Sequence, residues 1–322
     1  MKKTFIIIIG LSLLFLILML PGCIEEEESR EDSIPNDAIK YTPEMDIYPP
    51  LVHHEGWHDP VPMPGPINTA GGEDAGFITL DGSDFFFFFT PDVNIPAGEQ
   101  LTDGVTGIWR SQKTGNTWTE PTRVHLTKTL ALDGAPFYQD NKLWFASFRG
   151  GNYKEDGDIW TAIYENGEWI NIENAGETLN DEYNVGEMHI TSDKETMYFH
   201  RESLPGSGEY DLFTITKTED SWSKPVRINP PVSSEMSDSR PFVSADEQEL
   251  WFTRPSTSEY VGPAVFRSIK NENGSWSDPV EIVSNFAAEP TLDDEGNLYF
   301  VHHFFDEEMN MIEADIYVCY KK

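Results

Sequence analysis

The chain has 322 residues, with 56 Asp and Glu against 22 Lys and Arg, for a formal net charge of -34. A field of that sign repels phosphate backbones and anionic lipid headgroups, which excludes nucleic acid as a partner. Two cysteines, Cys23 and Cys319, exclude a disulfide framework.

Met1, Lys2 and Lys3 precede an apolar run over residues 5–20 that ends in Leu20-Pro21-Gly22-Cys23. A basic start, a short apolar stretch and small residues before a cut describe an export signal over residues 1–22. The run is 16 residues long, short of the roughly 20 that span a membrane comfortably. Leu-Pro-Gly-Cys in this position resembles a lipoprotein processing site, which implies Cys23 as the lipidated new N-terminus. An uncleaved N-terminal helix is the alternative, and either outcome leaves the protein extracytoplasmic and tethered to the cell membrane. No second long apolar run follows, so the membrane is expected to be met through the N-terminal anchor only. Loss of residues 1–22 removes two lysines and no acid, giving a charge of -36. Residues 23–50, acidic and Pro-rich, read as a flexible spacer, and residues 51–322 as one all-β domain.

That domain is organised by a turn that ends in Trp, usually before a Pro, at Trp57, Trp118, Trp169, Trp222 and Trp276, at intervals of 61, 51, 53 and 54 residues. Between these lie acidic turns followed by aromatic strands: Asp81-Gly82 before the five phenylalanines at 85–89, Asp140-Asn141 before Leu143-Trp144-Phe145, Asp193-Lys194 before Met197-Tyr198-Phe199, Asp246-Glu247 before Leu250-Trp251-Phe252, and Glu295-Gly296-Asn297 before Leu298-Tyr299-Phe300. Composition and spacing mark them as hairpins. A further strand follows in each unit, as in Asp158-Ile159-Trp160 and Asp211-Leu212-Phe213. Five units of about 50 residues with four short strands each predict a five-bladed β-propeller of four-stranded antiparallel blades. The last unit lacks a Trp-Pro element, and the segment around Trp57 to Pro62 precedes the first, so the N-terminal strand is expected to close the last blade. Most of the tryptophans are assigned to the core.

Pro225-Val226-Arg227-Ile228-Asn229, Ser239-Arg240-Pro241-Phe242, Leu250-Trp251-Phe252-Thr253-Arg254 and Asp211-Leu212-Phe213 resemble the WD40-like, PD40/TolB-type propeller repeats of periplasmic and surface lipoproteins. The resemblance covers most of residues 57–320 and implies a fold, since such repeats serve in binding, scaffolding and enzyme-associated modules alike. A more distant resemblance, to five-bladed glycosidases, rests on Trp57-His58-Asp59-Pro60; the same element recurs as Trp276-Ser277-Asp278-Pro279, which marks it as scaffolding.

An acid opens the first strand of each unit: Glu73 or Asp74, Asp133, Glu187, Asp238 and Glu289. On innermost strands these would ring one mouth of a central channel, where like charges raise one another's pKa values. Arg149, Arg201, Arg254 and His302 end the second strands and could offset them; a bound Ca²⁺ is the other offset, and no cofactor is required. There is no His-Glu-x-x-His helix, phosphate-binding Gly loop or Gly-x-Ser-x-Gly elbow. Glycoside hydrolysis needs only carboxylates around a pocket, and by analogy with the glycosidases Asp74, Asp133 and Glu187 would be its catalytic residues. Unit-specific loops at 91–106, 149–156, 202–209 and 255–263 suit partner recognition. The leading expectation is a monomeric cell-surface binding or interaction module for an extracellular protein or carbohydrate. A glycoside hydrolase acting on extracellular polysaccharide and a structural envelope component are the alternatives.

Overall fold

A computed structural model describes residues 29–129, 131–155, 157–203, 208–219, 221–257 and 259–322. The export segment, the processing site and Cys23 lie outside the described residues. No helix among the described residues is long and apolar enough to cross a membrane.

Among the described residues the fold is all-β, in four sheets of nine, five, four and four strands. One four-stranded sheet orders Leu132–Gln139, Lys142–Phe148, Asp158–Glu165 and Glu168–Asn174; the other orders Met188–Ile190, Thr196–Glu202, Tyr210–Thr216 and Val226–Arg227. The five-stranded sheet runs from Ser239–Val243 through Glu249–Pro255, Pro263–Ile269 and Val280–Ser284 to Leu51–Val52. The nine-stranded sheet joins Ala287–Leu292, Leu298–Phe305 and Met311–Cys319 to Gly72–Ile78, Asp84–Thr90 and Gly107–Thr114, with Val61–Pro62, Thr117–Trp118 and Thr122–Arg123 along its margins.

This corrects the expectation of a five-bladed β-propeller of four-stranded blades closed by the N-terminal strand. None of the four sheets closes on itself. The first and last units are not separate blades, because a parallel bridge between Ala314 and Gly72 fuses them into the nine-stranded sheet. The N-terminal segment is also divided: Leu51–Val52 pairs with Val280–Ser284, whereas Val61–Pro62 pairs with Met311–Cys319. The repeat period reports strand order within a unit. Hydrogen bonds across a unit boundary leave no trace in it.

Within each unit the strands follow from alternation, since successive side chains on a strand point to opposite faces. In Asp84–Thr90, Phe85, Phe87 and Phe89 enter one core cluster and Phe86 enters another. All four are fully buried, each contributing roughly 1.5–3 kcal/mol of burial. Trp57, Trp109, Trp118 and Trp251 are buried, and Trp144, Trp160, Trp169, Trp222 and Trp276 pack half-buried against the cores.

The expected spacer behaves differently over its described part, residues 29–50. Arg30 is 2% exposed; it pairs with Glu73 at 3.1 Å and donates to the carbonyls of Pro66 and Ile67. Lys40 is ion-paired with Glu313 and Asp315. Asp46 lies 2.9 Å from His302 Nε2, and the Pro49 carbonyl accepts from Asn285. Composition marks the stretch as poor in apolar groups, but these contacts are ion pairs and hydrogen bonds.

Candidate functional site

The first strands of four units, Gly72–Ile78, Leu132–Gln139, Ser239–Val243 and Ala287–Leu292, are the inner strands, and they carry the same irregularity. Their pairing register shifts between Asp74 and Phe77, Gly134 and Phe137, Ser239 and Phe242, and Ala288 and Thr291. Inside each shift one non-glycine residue takes a left-handed backbone: Ala75, Ala135, Arg240 and Glu289, at φ of 46°, 48°, 53° and 60°. Such a conformation in a β-bulge re-aims the side chain. Counting from the bulge, Glu73, Asp133 and Asp238 are equivalent to one another and precede it by two residues. Glu289 occupies the bulge itself, level with Arg240. The predicted ring of five acids therefore resolves into two levels.

The first level is buried and paired. Asp133 lies 2.5 Å from Arg149 and accepts from Ser147 Oγ at 2.6 Å. Asp238 lies 2.6 Å from Arg254 and accepts from the Ser234 backbone N–H. Glu73 is held by Arg30 and by the backbone and hydroxyl of Thr69. Burial outweighs the Arg30 charge and pushes the Glu73 carboxyl up to about 6. Burial likewise raises Asp238 against the opposing pull of Arg254.

The other two second-strand residues pair elsewhere. Arg201 donates to the Tyr183 carbonyl at 3.1 Å and stacks over Phe213. His302 is fully buried against Asp46.

The second level converges on one guanidinium. Arg240 Nε lies 3.0 Å from Glu187 Oε2 and is ion-paired with Glu289 Oε1. Asp74 stands beside them, 3.7 Å from His303 Nε2, with its Oδ1 accepting from the Ala75 N–H. The Arg240 backbone N–H donates to His200 Nδ1. Burial, opposed by Arg240 and reinforced by Asp74 and Glu187, lifts the Glu289 carboxyl well above its usual range. Glu187 is raised by burial in the same way. At Asp74 burial acts upward too, but the hydrogen bond and charge of His303 and the charge of Arg240 prevail, and the net shift is downward. Burial, and then Arg240, lowers His200 to about 3.

Glu187, Arg240, Glu289, Ala75 and Ala135 line a cavity of about 60 Å³ at this mouth. A few waters fit; a sugar ring does not. Among the described residues no group of three or more His, Cys, Asp or Glu is placed to hold a metal ion. Arg240 supplies the positive charge that a cation would otherwise bring. Of the three catalytic candidates, Asp74 and Glu187 come together here, while Asp133 stays on the buried level with Arg149.

Beyond the mouth lies a plug of four rings. His189 is 4.9 Å from Phe137, 4.4 Å from Phe242 and 6.4 Å from Phe77, centroid to centroid. Burial lowers His189 to about 3, so the imidazole is neutral, and its Nδ1 has no hydrogen-bond partner among the described residues. On the far side of the plug, at the hairpin ends of the inner strands, a cavity of about 580 Å³ opens. Tyr138, Tyr164, Arg110, Gln139 and Asp294 are among its walls. Sequence reasoning missed this end because its turn acids look structural; Asp81 is indeed tied to Thr79 and Ser83. It also missed Arg240, whose signal was the repeated Pro at 136, 241 and 290, each one residue after the bulge.

No family model and no curated protein matches the sequence. Solved structures do. A thermostable family-43 glycoside hydrolase is 12% identical, with a TM-score of 0.50 over 79% of this chain and 90% of that one. An α-L-arabinofuranosidase from Lactobacillus brevis is 12% identical, with a TM-score of 0.48 over 78% and 90%. TolB from Acinetobacter baumannii is 13% identical, with a TM-score of 0.43; the match covers 80% of this chain and 56% of TolB. The first of these likenesses relates the strand-rich fold to that of the family-43 glycoside hydrolase, at low identity, and it speaks to fold alone.

Proposed function

We propose that the protein is an extracytoplasmic binding module, exported by residues 1–22, held to the membrane through Cys23, and receiving a small extracellular ligand in the 580 Å³ cavity. The observation that carries this reading is the placement of Arg240 between Glu187 and Glu289. Glycoside hydrolysis needs two carboxylates facing each other across a substrate, roughly 5–9.5 Å apart. Here a guanidinium fills that space, while the roomy cavity lies at the other end, within the range of small-molecule sites.

A hydrolytic reading retains one supporting feature. Asp74 is shifted down while Glu187 and Glu289 are shifted up, the kind of division that acid–base pairs use. A ligand-induced melting shift with the full chain, across amines, amino acids and oligosaccharides, tests the binding reading against Ala245→Trp, which fills the cavity from its rim. A shift present in the wild type and absent in the variant is expected. Sugar release from a polysaccharide panel, abolished by Glu187→Gln, would replace binding by hydrolysis.

A further inference from the structure

The cavity that the binding reading relies on has tied up several of its donors and left one carboxylate unpaired. Arg110, its one cationic wall residue, is paired with Asp84 at 2.6 Å and stacked over Tyr164 at 4.7 Å. The Tyr138 hydroxyl donates to Asn141, and Gln139 Nε2 donates to the Thr191 carbonyl. The Ser83 hydroxyl donates to Asp81 and Asp84. Four carboxylates, Asp81, Asp84, Asp140 and Asp294, face this lining. Asp84 is neutralised by Arg110, and Asp140 pairs with Lys194 outside the cavity. The exposed Asp294 carboxylate makes no hydrogen bond or ion pair among the described residues; only its backbone N–H is engaged, with Leu80. The floor is apolar, formed by Phe77, Phe137 and Phe242 around the uncharged His189.

An anion entering here would compete with Asp84 for Arg110 and would meet the other carboxylates. A neutral polyol could hydrogen-bond to Tyr164, Asn141 and Ser192 but would leave the Asp294 charge without a counterpart. A ligand that brings its own N–H donors and a positive charge, with a flat apolar body for the ring floor, complements every surface at once. We propose that this cavity binds a small organic cation, an amine or amidine joined to an apolar ring; the proposal rests on the binding-module reading and specifies its ligand. The net charge of -34 adds a long-range field that concentrates such ligands at the surface.

Three probes on one skeleton test it: benzylamine, benzyl alcohol and benzoate, titrated into the full chain by calorimetry. Emission from Trp169, whose ring lies 4.8 Å from Tyr164 and 6.0 Å from Tyr138, gives a second readout. Benzylamine is expected to bind about tenfold more tightly than benzyl alcohol, and benzoate not at all. Asp294→Asn, at an exposed position that does not endanger folding, should weaken benzylamine by about fivefold and leave benzyl alcohol unchanged. Equal binding of the amine and the alcohol, or an amine affinity indifferent to Asp294→Asn, overturns the cation assignment. If an uncharged member of the wider panel binds in a manner lost in Ala245→Trp while benzylamine is silent, the cation assignment falls and the binding module stands. Silence from every compound overturns both.

Discussion

Replacing Arg240 by Met removes the only guanidinium between Glu187 and Glu289 while keeping most of the side-chain volume. Breaking a buried pair by removing one partner costs about 3–5 kcal/mol, because a charge is left without compensation. With 36% of the Arg240 side chain and 29% of Glu187 exposed, solvent screening reduces that to roughly 2–3 kcal/mol at neutral pH. The loss should depend on pH with a definite sign. Both glutamates already titrate above their usual range, and without Arg240 they rise further. A raised folded pKa stabilises below the unfolded value and loses that contribution as pH rises through the folded one. Urea unfolding of Arg240→Met at pH 5 and pH 8, each against wild type, should therefore show the smaller deficit at pH 5. The double variant Arg240→Met/Glu289→Gln, relieved of the most buried carboxyl, should recover part of the deficit at pH 8. A deficit equal at both pH values, or below about 1 kcal/mol at pH 8, would refute the account of the mouth as an arginine-neutralised acid cluster.

Arg30→Ala leaves Glu73 buried without its countercharge and strips a cation from the faces of Phe87, Phe89 and Trp109; denaturant unfolding should register about 3–5 kcal/mol, with residues 29–50 newly open to protease. Glu73 itself titrates near 6 in the fold against an ordinary 4.5, so its contribution to stability should fall by about 2 kcal/mol as pH rises from 4.5 through 6. Stability curves of Glu73→Gln that keep the wild-type slope over that interval would contradict the assignment. Cys319 is fully buried, and burial, with a smaller push from Asp59, raises its thiol to about 12; maleimide should label it only after unfolding, with labelling of the folded chain at pH 8 as the contrary result.

Much of the local architecture is legible in the sequence because it is periodic. The Trp spacing counts the units, and the acidic turns locate hairpins such as Leu132–Gln139 with Lys142–Phe148. The alternation of residues 85–89 assigns their faces. Contacts that join distant segments are not legible. Nothing near Gly72 announces a parallel partner at Ala314, and nothing in the acidic stretch after Cys23 says that Arg30, Lys40 and Asp46 have partners at Glu73, Glu313 and His302. The site fails to read for a subtler reason. Aligning acids by type sets Glu289 beside Asp238, whereas the bulge sets it beside Arg240, two residues on. An insertion of one residue's worth of backbone is invisible to residue type, and here it decides which carboxyls are locked in pairs and which meet at the mouth.

The clamped start of the chain also governs orientation. Arg30 is fastened to Glu73 at the acid-cluster end of the inner strands, and only residues 24–28 separate Cys23 from the first described residue. The six steps from Cys23 to Ser29 reach at most about 22 Å even when fully drawn out. With Cys23 as the membrane anchor proposed above, the described body would hang on a short leash. Under that proposal the acidic mouth would be turned toward the bilayer, and the aromatic cavity at the hairpin ends would look outward, where a dissolved ligand arrives first.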